Sequence, residues 1–82
     1  MTEAEIRALI LELIGEIAPE ADLGSAQDQD DLREIFDLDS MDFANLVVAL
    51  HDRLGVNIPE VHYNQLFKLE SAIAFLRNAI VQ

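Results

Sequence analysis

Ile6, Leu9, Ile10, Leu13, Ile14 and Ile17 recur at offsets of 3, 4, 7, 8 and 11 from the first, the spacing of one face of an α-helix. Glu3, Glu12 and Glu16 fall on the opposite face. Thr2 followed by Glu5 has the spacing of a capping box, in which each residue's side chain accepts from the other's backbone N–H. Ala18-Pro19 ends the pattern, so a helix is predicted over residues 3–17. Gly15 costs about 1 kcal/mol relative to alanine inside a helix, which leaves this one dependent on its packing.

Residues 19–39, PEADLGSAQDQDDLREIFDLD, are polar and form a long connection. Leu32, Ile35, Phe36 and Leu38 are expected to fold back onto the core, with a short helical turn around residues 30–36. The helical period returns from Ser40 to Leu54. Phe43, Leu46, Val47, Leu50 and Leu54 make one stripe, and Met41, Ala44 and Val48 a second, displaced around the helix. One buried face does not need both, so the second stripe implies either deep burial or a partner. Gly55 suits the C′ position, where a left-handed residue closes a helix. Pro59 suits the first turn of a short helix, with Val61, Tyr63 and Leu66 expected to turn inward. Leu69, Ala72, Ile73, Leu76 and Ile80 predict a last helix over residues 69–80. No strand period occurs anywhere, and the expected class is all-α: three substantial helices and a short one in a single domain, 1–82.

Composition narrows the possibilities. A chain of 82 residues buries about 60% of the surface its unfolded form exposes, and an apolar fraction of 51% suffices for a core without staples. There is no cysteine, hence no disulfide, no thiolate metal site and no thiol nucleophile in the polypeptide. No signal peptide and no apolar run long enough to span a bilayer is visible, and a cytoplasmic monomer is expected. The net charge of −11 is lopsided: thirteen acids in residues 1–42 stand against Arg7 and Arg33, while the rest of the chain is neutral. Such a field disfavours nucleic acid and membrane surfaces and favours basic protein surfaces. Asp28, Asp30 and Asp31 resemble a calcium loop only superficially. The sixth-position glycine is missing, and Leu32 and Arg33 stand where ligands and a turn are required. No metal site is expected.

The segment DLDSMDF, residues 37–43, places Ser40 where polar sequence gives way to apolar. Ser40 caps the helix or receives something covalent. Ser40, His51 and Asp52 have the residue types of a catalytic triad, but residues 40 and 51 on one helix lie about 16 Å apart along its axis. Intrinsic catalysis is therefore not expected.

The stretch LDSMDFANLVVALHDRLGVNIPE resembles the acyl carrier proteins, through Asp39-Ser40-Met41, the amphipathic helix after it, and Gly55 to Glu60. The capped first helix and LESAIAFL (residues 69–76) fit the same plan. The resemblance implies a four-helix bundle of acyl-carrier type, with three longer helices, a short third helix, and a long loop between helices one and two. It implies that Ser40 carries 4′-phosphopantetheine, donated by coenzyme A, whose thiol holds acyl groups as thioesters, with Asp39 and Met41 as signature flanks. The implied partners are a phosphopantetheinyl transferase, an acyl-loading ligase or acyltransferase, and synthases or transferases with basic docking surfaces. Met41, Asp42, Ala44, Val48 and Asp52 would meet them, and Phe43, Leu46, Val47 and Leu50 would line the cargo pocket. The alternatives are an aminoacyl or D-alanyl carrier, or a helical interaction module without a prosthetic group.

Three departures qualify that reading. The family usually has glycine three residues before the serine, where this chain has Asp37. Asn45, His51 and Arg53 stand where the second helix of fatty-acid carriers is commonly acidic, which points to a dedicated pathway rather than bulk fatty-acid synthesis. Phe43, one turn into the helix, would narrow the cargo cavity and favour short or polar acyl groups, or it serves simply as core.

Overall fold

The computed structural model describes residues 1–81. The structure has four α-helices, α1 (Glu3–Ile17), α2 (Leu32–Ile35), α3 (Ser40–Leu54) and α4 (Leu69–Val81), with a 3₁₀ helix at Leu23–Ser25 between α1 and α2 and another at Glu60–Leu66 between α3 and α4. No strand occurs among the described residues, and an isolated bridge joins Asp31 to Lys68. The all-α bundle with a long first loop is therefore the observed architecture. None of its described helices is long and apolar enough to cross a membrane.

Local chemistry sets the helix ends. Glu5 N–H donates to Thr2 Oγ1 at 3.1 Å and Thr2 N–H to Glu5 Oε1 at 2.7 Å, completing the capping box of α1. Gly55, at φ 67, closes α3, and its N–H donates to the His51 carbonyl. Gly15 has a packing reason: a Cβ there would lie 3.1 Å from Leu23 Cδ1, so its absence lets the first 3₁₀ turn approach α1.

Each of the three longer helices turns its main predicted stripe to the core. Ile6, Leu9, Ile10, Leu13 and Ile14 of α1 are buried, with α1 packed against both α3 and α4; Phe43, Leu46, Val47 and Leu50 of α3, and Leu69, Ala72, Ile73 and Leu76 of α4, are buried in the same cluster. Leu32, Phe36 and Leu38 join them from the long loop. Backbone bonds zip that loop to the start of α4: Leu32 N–H donates to the Phe67 carbonyl at 2.7 Å, and Glu70 N–H to the Asp28 carbonyl at 2.9 Å. Arg7 pairs with Asp28, and Arg77 of α4 with Glu3 of α1.

The region after Pro59 departs from expectation. The short helix is of 3₁₀ type over seven residues, with Pro59 as its N-cap rather than inside its first turn. Val61, expected to turn inward, is 77% exposed, whereas Leu66 is buried and Tyr63 half-buried. With three residues per turn, positions 63 and 66 share an edge and 61 falls away from it.

Candidate functional site

The residue that caps α3 is Asp39. Asp42 N–H donates to Asp39 Oδ1 at 2.8 Å, and Asp39 N–H to Asp42 Oδ2 at 3.4 Å, a capping box built from two aspartates. Ser40 is the first residue inside the helix, exposed, and its hydroxyl takes no part in the cap. At this position the backbone N–H groups of Ser40 and Met41 have no intrahelical acceptor. They lie at the positive end of the helix dipole, which favours an anion by about 0.3–1 kcal/mol.

The turn leading into α3 is a Schellman motif. Leu38 N–H donates to the Arg33 carbonyl at 2.9 Å and Asp37 N–H to the Glu34 carbonyl at 3.4 Å, the pair of bonds that closes a helix through a left-handed C′ residue. That residue is Asp37, at φ 53. Glycine adopts this conformation freely, and aspartate tolerates it better than most. Buried Leu38 then anchors the stretch of chain that delivers Asp39 and Ser40 to the surface.

Ser40 borders a groove of about 610 Å³, walled by Arg33, Glu34, Leu38, Asp39, Phe43, Ala44, Tyr63 and Phe67. Its apolar side is aromatic. Phe43 packs edge-on against Phe67 at 5.3 Å and against Tyr63 at 5.9 Å. The Arg33 guanidinium lies 3.5 Å from the centre of the Phe67 ring. Arg33 also donates to Asp31 from Nε at 3.2 Å and from the terminal guanidinium at 2.9 Å. Those side-chain bonds hold the Asp31 carboxyl below the ordinary aspartate range and raise the Arg33 pKa further.

Of the residues singled out for cargo, only Phe43 borders this groove. Leu46 and Leu50 are each 1% exposed and belong to the core, and Val47 is buried beside a separate shallow groove with Val48 and His51. The second stripe of α3 is a surface feature: Met41 is 74% and Val48 58% exposed, with Ala44 between them exposed as well. Asp52 is exposed on the same helix, and Asp42 is half-buried by its capping role. Neither histidine joins Ser40. His51 Nδ1 donates to the Val56 carbonyl at 2.9 Å, and His62 Nδ1 accepts from the Gln65 amide at 3.2 Å. Arg33, Tyr63 and Phe67 reach the groove from elements outside residues 37–43, and of these the sequence pattern marks only Tyr63, as inward-facing.

The site fits a phosphodiester on Ser40. The hydroxyl is exposed, uncommitted to the cap, and beside unpartnered N–H groups, with a groove at hand for the arm beyond the phosphate. An acyl carrier protein from Acidothermus cellulolyticus is 29% identical over 83 residues, covering 99% of this chain and 95% of that protein. A family model described as "Phosphopantetheine attachment site" matches residues 4–75. With the match spanning most of its length, the chain belongs to the phosphopantetheine attachment family, whose covalently bound group is 4′-phosphopantetheine.

Proposed function

We propose that Ser40 is the attachment residue and that the protein is an acyl carrier, presenting cargo to separate enzymes rather than catalysing its chemistry. The observation that carries this reading is the capping arrangement. Asp39 caps α3 by accepting from Asp42 N–H and Asp42 accepts in return from Asp39 N–H, so Ser40 is free of the capping task a serine there would otherwise perform. When bound, the prosthetic group supplies the thiol that the cysteine-free polypeptide lacks. The chain's own residues present and position. Ser40 would hold the phosphate, the N–H groups of the first turn would face it, and Asp37 and Leu38 fix where the serine stands. Met41, Ala44 and Val48 offer an apolar strip beside the attachment point, flanked by Asp39 and Asp42. Such a surface suits a partner that combines an apolar contact with basic side chains, as a phosphopantetheinyl transferase or a loading enzyme would.

The absence of cysteine makes the test simple. Incubation with coenzyme A and a broadly tolerant phosphopantetheinyl transferase is expected to add one group by intact mass and to create one thiol detectable with a thiol reagent. The unmodified protein and Ser40→Ala treated in the same way should stay silent. A wild-type chain that never gains mass, or a Ser40→Ala variant that does, would refute the assignment.

A further inference from the structure

The groove beside Ser40 ends against a braced wall. Phe43 lines it and is only 7% exposed, a member of the same buried cluster as Leu46, Leu50, Leu66 and Leu69, which do not border the groove. For an acyl chain to lengthen inward past this lining, a buried side chain such as Phe43 has to move. Phe43 rests edge-on against Phe67, and Phe67 is pinned twice. Its carbonyl accepts from Leu32 N–H at 2.7 Å, and its ring is covered by Arg33. Arg33 is in turn held by two side-chain bonds to Asp31, which also caps α2 by accepting from Arg33 N–H. An arginine fixed at one edge by a carboxylate and stacked on a ring is a planar lid, a geometry lysine cannot reproduce. Asp31 and Arg33 carry opposite charges at neutral pH, and their side-chain bonds lower the Asp31 pKa.

We propose that Arg33 is the positioning residue that sets cargo length: by clamping Phe67, and through it Phe43, it closes the route from the Ser40 groove into the core and restricts shelter to short acyl groups. The proposal rests on the attachment of the arm at Ser40 and adds to it a residue that no feature of the attachment segment contains. Loosening the clamp should admit longer chains. Phe43 then swings aside, and the space gained lies between α3 and the 60–66 helix.

The protein is loaded at Ser40 with a four-carbon and, separately, a twelve-carbon acyl group, and thioester cleavage by hydroxylamine at neutral pH is timed. In the wild type the longer chain is expected to be cleaved at least as fast as the shorter. In Arg33→Ala it should be slowed at least threefold relative to the shorter. Arg33→Lys should behave nearer to Arg33→Ala, and Asp31→Asn, which keeps a competent cap, should shift the ratio in the same direction by less. A general loosening of the fold would speed both cleavages and leave the ratio unmoved. A wild type that already shelters twelve carbons threefold better than four, or a ratio unchanged in Arg33→Ala, overturns the proposal. A second readout needs no arm: Phe43 ring flips followed by NMR in the unmodified chain should be at least tenfold faster in Arg33→Ala. Equal flip rates would sink the clamp alone, whereas a Ser40 bare by intact mass would sink the attachment reading and the cargo claim together.

Discussion

Asp37 offers the most direct test of how the turn before Ser40 is built. It occupies the left-handed C′ position of the Schellman turn at φ 53, and it shares a small acidic groove with Glu20, Asp22 and Asp42. Two costs arise there. The left-handed conformation costs an L-residue about 1–2 kcal/mol, with aspartate and asparagine at the low end. Like charges one Debye length apart, roughly 8 Å at physiological salt, repel by about 0.2 kcal/mol, so three such neighbours amount to about 0.6 kcal/mol. Asp37→Asn keeps the tolerated backbone and removes the charge, and should stabilise by about 0.6 kcal/mol. Asp37→Gly also removes the backbone cost but returns about 0.4–1 kcal/mol to the flexibility of the unfolded chain. It should match or slightly exceed asparagine. Asp37→Ala removes the charge but keeps the full backbone cost, and should fall below glycine by about 0.5–1 kcal/mol. Urea unfolding resolves these differences, because a slope of about 1 kcal/mol per molar turns 0.6 kcal/mol into a midpoint shift of about 0.6 M. In 1 M sodium chloride, where the Debye length is about 3 Å, the advantage of asparagine over wild type should vanish while the gap between glycine and alanine persists. Alanine as stable as glycine at high salt would refute left-handed strain at this turn.

Three further outcomes are expected. Asp39→Ala should cost about 1 kcal/mol of stability through loss of the α3 cap, whereas Ser40→Ala should stay within about 0.5 kcal/mol of wild type; the reverse order in thermal or urea unfolding would return the cap to Ser40. Salt or millimolar magnesium should raise Tm, since seven acids between residues 20 and 42 stand outside the two ion pairs formed by Asp28 and Asp31, and an unchanged Tm in calorimetry would mean those acids are too dispersed to matter. Asp31 has a depressed folded pKa, caused first by its side-chain bonds to Arg33; its contribution to stability is therefore present above the unfolded value and is lost as pH falls through the folded one. NMR titration should place its midpoint below that of an ordinary aspartate in wild type and higher in Arg33→Ala, and equal midpoints would argue against the pair.

Much of the molecule is legible in one dimension, because helix faces and helix ends are local properties. The stripe from Ile6 to Ile14 predicts a buried face, Thr2 and Glu5 a capped start, and Gly55 a left-handed stop, each encoded within a few residues of where it acts. The Asp39–Asp42 box is local in the same sense, and with it the release of Ser40 from capping. The segment after Pro59 shows where local reading falters: Val61 and Leu66 are both apolar, but the 3₁₀ helix docked on α4 buries Leu66 and turns Val61 outward. Three-residue and 3.6-residue turns diverge over seven residues, and only docking chooses between them. The far wall of the groove at Ser40 lies beyond local pattern. Arg33 meets Phe67, and Phe67 meets Phe43, because backbone bonds fasten the long loop to the start of α4. Leu46 and Leu50 share a stripe with Phe43 yet lie in the core rather than on the groove. Periodicity tells which side chains leave water; which of them end beside the serine depends on how separate elements pack, and that was decided by the tertiary structure alone.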